Sequence, residues 1–145
     1  MRSVLVLNGP NLNLLGHRSP EFYGRQTLAQ IENSCRTWSS EVGLEIEFLQ
    51  SNSESTMIDA IQRAMSIHSG IIINAAAYTS TSIALRDAIE ASKLPCIEIH
   101  LSNIYAREKW RSDSYLSAVS VGVICGFRET SYRLAILAMA DLLES

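Results

Sequence analysis

The sequence has few cysteines and no long apolar run. Its three cysteines, Cys35, Cys96 and Cys125, are an odd number without CxxC spacing, so neither a disulfide framework nor a zinc site is predicted. No apolar stretch approaches the ~20 residues of a membrane span, and a net charge of −3 attracts neither nucleic acid nor an anionic membrane. The first apolar run is too short for a signal peptide, so we expect a reduced, cytoplasmic setting.

Several catalytic motifs are also missing. The sequence lacks GxGxxG, GxxxxGK[ST], GxSxG and HExxH, which leaves dinucleotide binding, P-loop chemistry, an α/β-hydrolase nucleophile and a zincin site without support. Lys93 lies in a predicted turn and Lys109 in a surface-like loop, so catalysis through a lysine imine is not favoured. The other basic residues are arginines, which bind planar carboxylates through two parallel hydrogen bonds. An anionic small-molecule substrate is therefore compatible with the acidic total.

Short apolar runs alternate with longer amphipathic ones along all 145 residues, which fit a single domain over 1–145. The strands are expected at 3–7, 44–50, 71–74, 96–101 and 120–127, and the helices at 27–43, 54–68, 81–92 and 130–143. Thr27 and Gln30 have the spacing of a capping box at the start of the first long helix. Continuous apolar strands between helices indicate strands buried on both faces. We therefore predict an open doubly wound α/β domain with a five-stranded parallel sheet.

Polar residues follow three of these strands. Such sheets bind ligands outside the carboxyl ends of their strands, near the point where the strand order reverses. The side chains expected at that edge are Asn11, Arg18 and Tyr23 after the first strand, Asn74 after the third, and His100, Ser102, Arg107 and Arg111 after the fourth. The sequence therefore predicts one site at this edge of the sheet.

Arg18 and Tyr23 stand five residues apart in one loop, so the guanidinium can lie beside the phenol. An ordinary tyrosine has a pKa of ~10 and is a weak base near neutrality unless a neighbouring cation stabilises its phenolate. The functional interpretation makes Tyr23 a general base. The alternative is that Tyr23 packs on a helix and that Arg18 is solvated.

Glu98 and His100 alternate on one strand, so their side chains share a face. A carboxylate beside an imidazole fixes its tautomer and favours its protonated form, which would make His100 a general acid. The alternative is a histidine that is hydrogen-bonded at a strand end for structural reasons. His17 and His68 have no comparable setting and are expected to be structural or exposed.

Two further groups of polar residues have structural alternatives. The Thr-Ser-Thr-Ser run after Asn74 either caps a helix or presents free N–H groups to an anion. Arg107 and Arg111 form either a solvated basic face or a clamp for a carboxylate. Taken together, these residues suit proton abstraction beside a carbonyl with loss of water, without a cofactor.

The chain resembles the type II 3-dehydroquinate dehydratases over essentially its whole length. The matching blocks are LNGPNLNLLG, R-x-P-E-x-YG, FLQSN, IIINxxAYT, TSIALRDA, EIHLSNIYARE and GVICGF. The resemblance implies a three-layer flavodoxin-like sheet and the conversion of 3-dehydroquinate to 3-dehydroshikimate in the shikimate pathway. It also implies no metal, no coenzyme, and a dodecamer built as a tetramer of trimers.

By position, the resemblance implies a role for each site residue. Tyr23 removes the C2 proton, Arg18 holds its phenolate, His100 protonates the leaving hydroxyl, and elimination is anti through an enolate. Glu98 orients His100, and Asn11 positions the water or carbonyl associated with the enolate. The substrate is bound by Asn74, Leu101, Ser102 and Arg111, while Asp87 reaches the site from a neighbouring subunit and Arg107 belongs to a loop that closes over it. The segment with Arg18 and Tyr23 acts as a lid.

The chain departs from the family pattern at Ser80, where a histidine that touches substrate hydroxyls is usual. Ala75 and Ala76 replace a common Pro-Gly, and Ser112-Asp113 replaces a more usual pair of histidines. We expect weaker substrate binding with the same chemistry. The alternatives are a ligand-binding or regulatory relative without turnover, an enzyme of quinate breakdown, and a flavin- or nucleotide-binding module suggested by topology alone.

Overall fold

Helices connect most of the consecutive strands, and 3₁₀ turns alone connect the last two. The computed structural model describes residues 2–144. Its strands are β1 (Arg2–Asn8), β2 (Leu44–Gln50), β3 (Gly70–Asn74), β4 (Cys96–His100) and β5 (Gly122–Cys125). Its helices are α1 (Pro20–Tyr23), α2 (Leu28–Glu41), α3 (Glu54–Ile67), α4 (Ile83–Ser92) and α5 (Thr130–Glu144). The strands form one parallel sheet in the order β2-β1-β3-β4-β5, so the predicted fold class is confirmed.

Local signals explain most helix starts. The capping box at α2 is present, with the Gln30 N–H donating to Thr27 Oγ1 and the Thr27 N–H donating to Gln30 Oε1. The predicted start of α4 at residue 81 was two residues early, because residues 76–80 form a 3₁₀ turn and Ser82 is the N-cap. The Leu85 N–H donates to Ser82 Oγ, so this hydroxyl caps the helix.

Alternate residues of the central strands feed two apolar clusters. Val4 and Val6 pack with α2 and α5 on one face of the sheet, while Leu5 and Leu7 pack with α3 and α4 on the other. The continuous apolar runs at β1 and β3 therefore correspond to burial on both faces, as predicted. β5 is different: it is shorter than predicted, and as an edge strand it is partly exposed, with Val123 38% accessible.

The strand order reverses beside β1, and this reversal creates space at the carboxyl edge of the sheet. Asn8 at the end of β1 lies in register with Asn74 at the end of β3. The Gly9 N–H donates to the Asn74 carbonyl at 2.8 Å. A Cβ on Gly9 would lie 2.4 Å from the Ala75 carbonyl oxygen, so only glycine lets the two loops approach this closely. This contact sets the distance between the two strand ends that border the site.

Candidate active site

A cleft that is open to solvent lies at the carboxyl edge of the sheet. Loops after β1, β3 and β4 form its walls. It brings together most of the predicted site residues: Asn11, Arg18, Tyr23, Asn74, Ser80, His100, Leu101, Ser102, Arg107 and Arg111. Glu98 lies behind His100, whereas Asp87 is on α4 and pairs with Arg86 at the surface.

Two arginines contact Tyr23 in different ways. The guanidinium carbon of Arg18 lies over the Tyr23 ring, 4.9 Å from its centroid. Arg107 Nη1 donates to the Tyr23 hydroxyl at 2.8 Å and also to Ser102 Oγ at 3.2 Å. From the sequence, Arg18 was expected to be the cation beside the Tyr23 hydroxyl. The structure instead places Arg107 there, and it stacks Arg18 on the face of the ring.

Arg107 also joins the two loops that cover the cleft. Its guanidinium carbon lies 4.2 Å from the centroid of Phe22, next to Tyr23 on α1. Its Nε is buried and has no hydrogen-bond partner within residues 2–144. A buried donor without an acceptor is costly, and an anionic ligand in the cleft would supply one.

His100 and Glu98 form a buried pair at the end of β4. Nε2 of His100 lies 2.5 Å from Glu98 Oε2, and the Glu98 side chain is completely inaccessible. Burial acts to raise the pKa of Glu98, but the hydrogen bond and positive charge of His100, with hydrogen bonds from Ser117 and Ser114, outweigh it and lower the pKa. Glu98 is therefore an ionised acceptor that orients the imidazole, with Nδ1 left for the cleft.

Asn74 belongs to a buried polar network at the floor of the cleft. Its Nδ2 donates to the Tyr132 hydroxyl at 3.2 Å, and this hydroxyl donates to Asn8 Oδ1 at 2.5 Å. All three residues are almost inaccessible. Because each amide is fixed by a partner on α5 or on a neighbouring strand, the Asn74 side chain has little freedom to rotate.

Ser80 faces the turn that carries Arg111. Its hydroxyl donates to the Trp110 carbonyl at 2.8 Å. The Arg111 guanidinium stacks on the Trp110 ring at 4.3 Å, and its Nε donates to Glu108. Residues 104–106 and 109–112 form separate 3₁₀ turns, and these turns position the two arginines. Both arginines line the cleft.

The sequence missed four residues that shape the site: Trp110, Ser114, Ser117 and Tyr132. Trp110 sits between two predicted arginines, and this position was a usable signal. The serines are 16 and 19 residues from the Glu98 side chain that they contact, so no local pattern marks them. The sequence pattern indicates only that Tyr132 is a core residue of α5. Its hydroxyl has a role because it contacts Asn8 and Asn74, on strands that are far away in the sequence.

His68 is structural, within the expectation, and it has a carboxylate partner that its sequence setting did not indicate. Its Nε2 lies 2.8 Å from Glu47 Oε1, and its Nδ1 lies 2.8 Å from Ser3 Oγ. Burial acts to raise the pKa of Glu47, but the hydrogen bond from His68 and the charge of Arg63 lower it overall. This cluster lies at the amino edge of the sheet, opposite the cleft, while His17 is exposed as predicted.

Residues 2–144 contain neither a metal-binding cluster nor a membrane-spanning helix. No group of three or more histidine, cysteine, aspartate or glutamate side chains is arranged to hold a metal ion in this range. No helix in the same range is both long and apolar enough to cross a bilayer.

A doubly wound α/β sheet with tyrosine, histidine and arginine side chains at its carboxyl edge defines an enzyme of the acid–base class. The profile described as "Dehydroquinase class II" matches residues 2–140. The chain belongs to this family, and the family predicted from the sequence is confirmed.

Similar proteins match over nearly the whole chain. One is 3-dehydroquinate dehydratase 2 from Pseudomonas aeruginosa, 50% identical over 99% of this chain and 97% of that protein. Another is the 3-dehydroquinate dehydratase of Dinoroseobacter shibae, 55% identical over 92% and 89%. Among solved structures, a type II dehydroquinase from Propionibacterium acnes matches with a TM-score of 0.94 at 39% identity, covering 97% of each chain.

Proposed function

We propose that this protein is a 3-dehydroquinate dehydratase of the shikimate pathway, which eliminates water from 3-dehydroquinate through an enolate. The observation that carries this proposal is the juxtaposition of Tyr23 and His100 in one cleft, the first contacted by two arginines and the second by a buried carboxylate. This set provides a base, an acid and cations within one cleft. Membership of the dehydroquinase class II family indicates which reaction this set of side chains catalyses.

Tyr23 is the general base of this proposal. Its phenolate removes the proton at C2 of the substrate, and the electron pair moves toward the neighbouring carbonyl to give an enolate. Arg107 at the hydroxyl and Arg18 above the ring supply positive charge that favours the phenolate. Asn11, on the rim of the cleft, positions the water or carbonyl associated with the enolate.

His100 is the general acid. In this proposal His100 acts as an imidazolium: its Nε2–H donates to Glu98, and its Nδ1 proton goes to the departing C1 hydroxyl, which leaves as water. Collapse of the enolate then forms the carbon–carbon double bond of 3-dehydroshikimate. The base and the acid act from different walls of the cleft, which is the arrangement that an anti elimination requires.

The remaining polar groups bind the substrate. Ser102, the backbone at Leu101 and Arg111 take the carboxylate and neighbouring hydroxyls, and Asn74 holds a ring hydroxyl from the floor. The unpartnered Nε of Arg107 supports an anion at this position. Ser80 is too short to reach as far as a histidine would, so it contacts the substrate through water.

We also propose that the chain works as a cytoplasmic dodecamer. Asp87 is exposed on α4 and is not among the residues that line the cleft of its own subunit, which supports a role in a neighbouring subunit's site. Several large apolar side chains are exposed near the sheet edge and α4, among them Ile83, Val121 and Phe127. Exposed apolar area of this kind favours contacts between subunits.

The decisive experiment follows the conjugated enone by ultraviolet absorbance when the purified protein is mixed with 3-dehydroquinate. We expect turnover, and we expect Tyr23→Phe to lower kcat by about 10²–10⁴-fold, the range that a general base contributes. The matched control is Tyr105→Phe, which removes the same oxygen from an exposed tyrosine outside the cleft and leaves kcat unchanged. Saturable binding without enone would instead identify a binding protein and overturn the proposal.

A further inference from the structure

The buried Glu98 carboxylate uses both of its oxygens. Oε2 faces His100 Nε2, and Oε1 accepts hydrogen bonds from Ser117 Oγ at 2.7 Å and Ser114 Oγ at 3.0 Å. A buried carboxylate is costly unless its lone pairs are satisfied. The two serines are therefore the groups that satisfy the oxygen facing away from the histidine.

The direction of the Ser114 hydrogen bond is fixed by its surroundings. Ser114 Oγ accepts from the backbone N–H groups of Leu116 and Ser117, at 3.0 and 3.1 Å. A hydroxyl has one proton and two lone pairs, so these two bonds leave the proton as the group that reaches Glu98. Oε1 must then act as an acceptor, which an ionised carboxylate does at both oxygens.

From this geometry we infer that Ser117 and Ser114 are positioning residues for the proposed dehydration. They hold Glu98 ionised and oriented, so that His100 directs its Nε2–H to the carboxylate and keeps Nδ1 and its proton for the leaving hydroxyl. Without them, the proton between Glu98 and His100 shifts toward the carboxylate, and the Nδ1–H then belongs to a neutral imidazole, which is a far weaker acid. The inference rests on the proposed function only for its effect on rate.

Among residues 2–144, the side-chain hydrogen-bond partners of Glu98 are His100, Ser114 and Ser117. The titratable and charged groups on the surrounding elements are Cys96 and His100 on β4, Cys125 on β5, Arg86, Asp87 and Glu90 on α4, and Tyr105, Arg107, Glu108, Lys109, Arg111, Asp113 and Tyr115 on the turns that follow β4. The α4 charges pair with each other at the surface. Burial raises the pKa of both thiols, that of Cys96 to about 12, so they are neutral at working pH.

The kinetic test compares Ser117→Ala with Ser120→Ala. Ser120 lies in the same segment at similar burial, and its hydroxyl donates to the Leu116 carbonyl rather than to Glu98. We expect Ser117→Ala to lower kcat by roughly tenfold, because a hydrogen bond to a charged group contributes a free energy that corresponds to about this factor. KM should stay within about twofold of wild type. Ser120→Ala leaves kcat unchanged. An equal loss in both variants would reduce Ser117 to a structural role.

A double-mutant cycle shows whether the serine acts through the carboxylate. In a Glu98→Gln background, Ser117→Ala should cost little further kcat, because the charge that it stabilises is already gone. Ser117→Thr keeps the hydroxyl and should restore most of the rate. Fully additive losses, or no rescue by threonine, would overturn the inference.

A third measurement is independent of turnover. Carboxyl-carbon NMR of protein labelled in glutamate follows the titration of Glu98, whose pKa should rise in Ser117→Ala and in Ser114→Ala but not in Ser120→Ala. An unchanged Glu98 titration in both variants refutes the inference even if the enzyme is active. A shifted titration in a protein without turnover would instead mean that the proposed function is wrong and the network is real.

Discussion

Replacing Tyr132 by phenylalanine tests the link between the core and the cleft. The Tyr132 side chain is fully buried, and burial raises the pKa of its phenol, so the hydroxyl is a neutral donor and acceptor. It is the partner of both Asn8 Oδ1 and Asn74 Nδ2. Tyr132→Phe leaves the ring in place and removes the oxygen that pairs with Asn8 Oδ1 and Asn74 Nδ2.

The size of the effect follows from the two buried atoms that lose their partner, Asn8 Oδ1 and Asn74 Nδ2. Each buried polar atom left without a partner costs about 1–3 kcal/mol, so we expect the free energy of unfolding to fall by about 3 kcal/mol. With a urea m-value of about 2 kcal/mol/M, the unfolding midpoint moves down by about 1.5 M. Because Asn74 lines the cleft, KM for 3-dehydroquinate should rise as its amide loses its anchor.

Tyr78→Phe is the matched control. The Tyr78 hydroxyl donates to the Asn52 carbonyl at 2.6 Å in an exposed setting, where water replaces the lost partner. Its free energy of unfolding should change by less than about 1 kcal/mol. Urea unfolding followed by tryptophan fluorescence measures both variants. A Tyr132→Phe midpoint no lower than that of Tyr78→Phe would refute the reasoning.

Three further predictions concern backbone strain, pH and specificity. Ala76 has φ of +52°, so Ala76→Gly should raise the free energy of unfolding by about 0.5–1 kcal/mol after the greater freedom of the unfolded chain is counted; a lower urea midpoint would contradict this. Glu47→Gln should lower this free energy at pH 7 by about 0.5–1 kcal/mol through loss of the contact with His68. The folded pKa of Glu47 is depressed, so its contribution is present above the unfolded pKa of about 4.3 and is lost as the pH falls through the folded pKa. Variant and wild type should therefore converge in acid, and a difference that persists at pH 2 would count against the mechanism. Ser80→His should lower KM by restoring a direct contact with substrate hydroxyls, and steady-state kinetics showing an unchanged or higher KM would argue against it.

The central elements were predictable because their signals are local. Continuous apolar runs such as Ile71–Ile73 mark strands that are buried on both faces, and Thr27 with Gln30 marks a helix start. Predictions failed where tertiary context decided the backbone. β5 is shorter and more exposed than its apolar composition indicated because it forms the edge of the sheet. The turns that carry Arg107 and Arg111 have no periodicity to read.

The sequence by itself determined the order of strands and helices and which polar residues, Asn74 and His100 among them, stand at strand ends. These residues lie close together because the carboxyl ends of parallel strands all lie at one edge of the sheet. Only the tertiary structure decided that Arg107, 84 residues away in the chain, is the cation at the Tyr23 hydroxyl, and that two distant serines satisfy Glu98. Such contacts depend on how irregular turns pack over the finished sheet, and spacing along the chain contains no record of that packing.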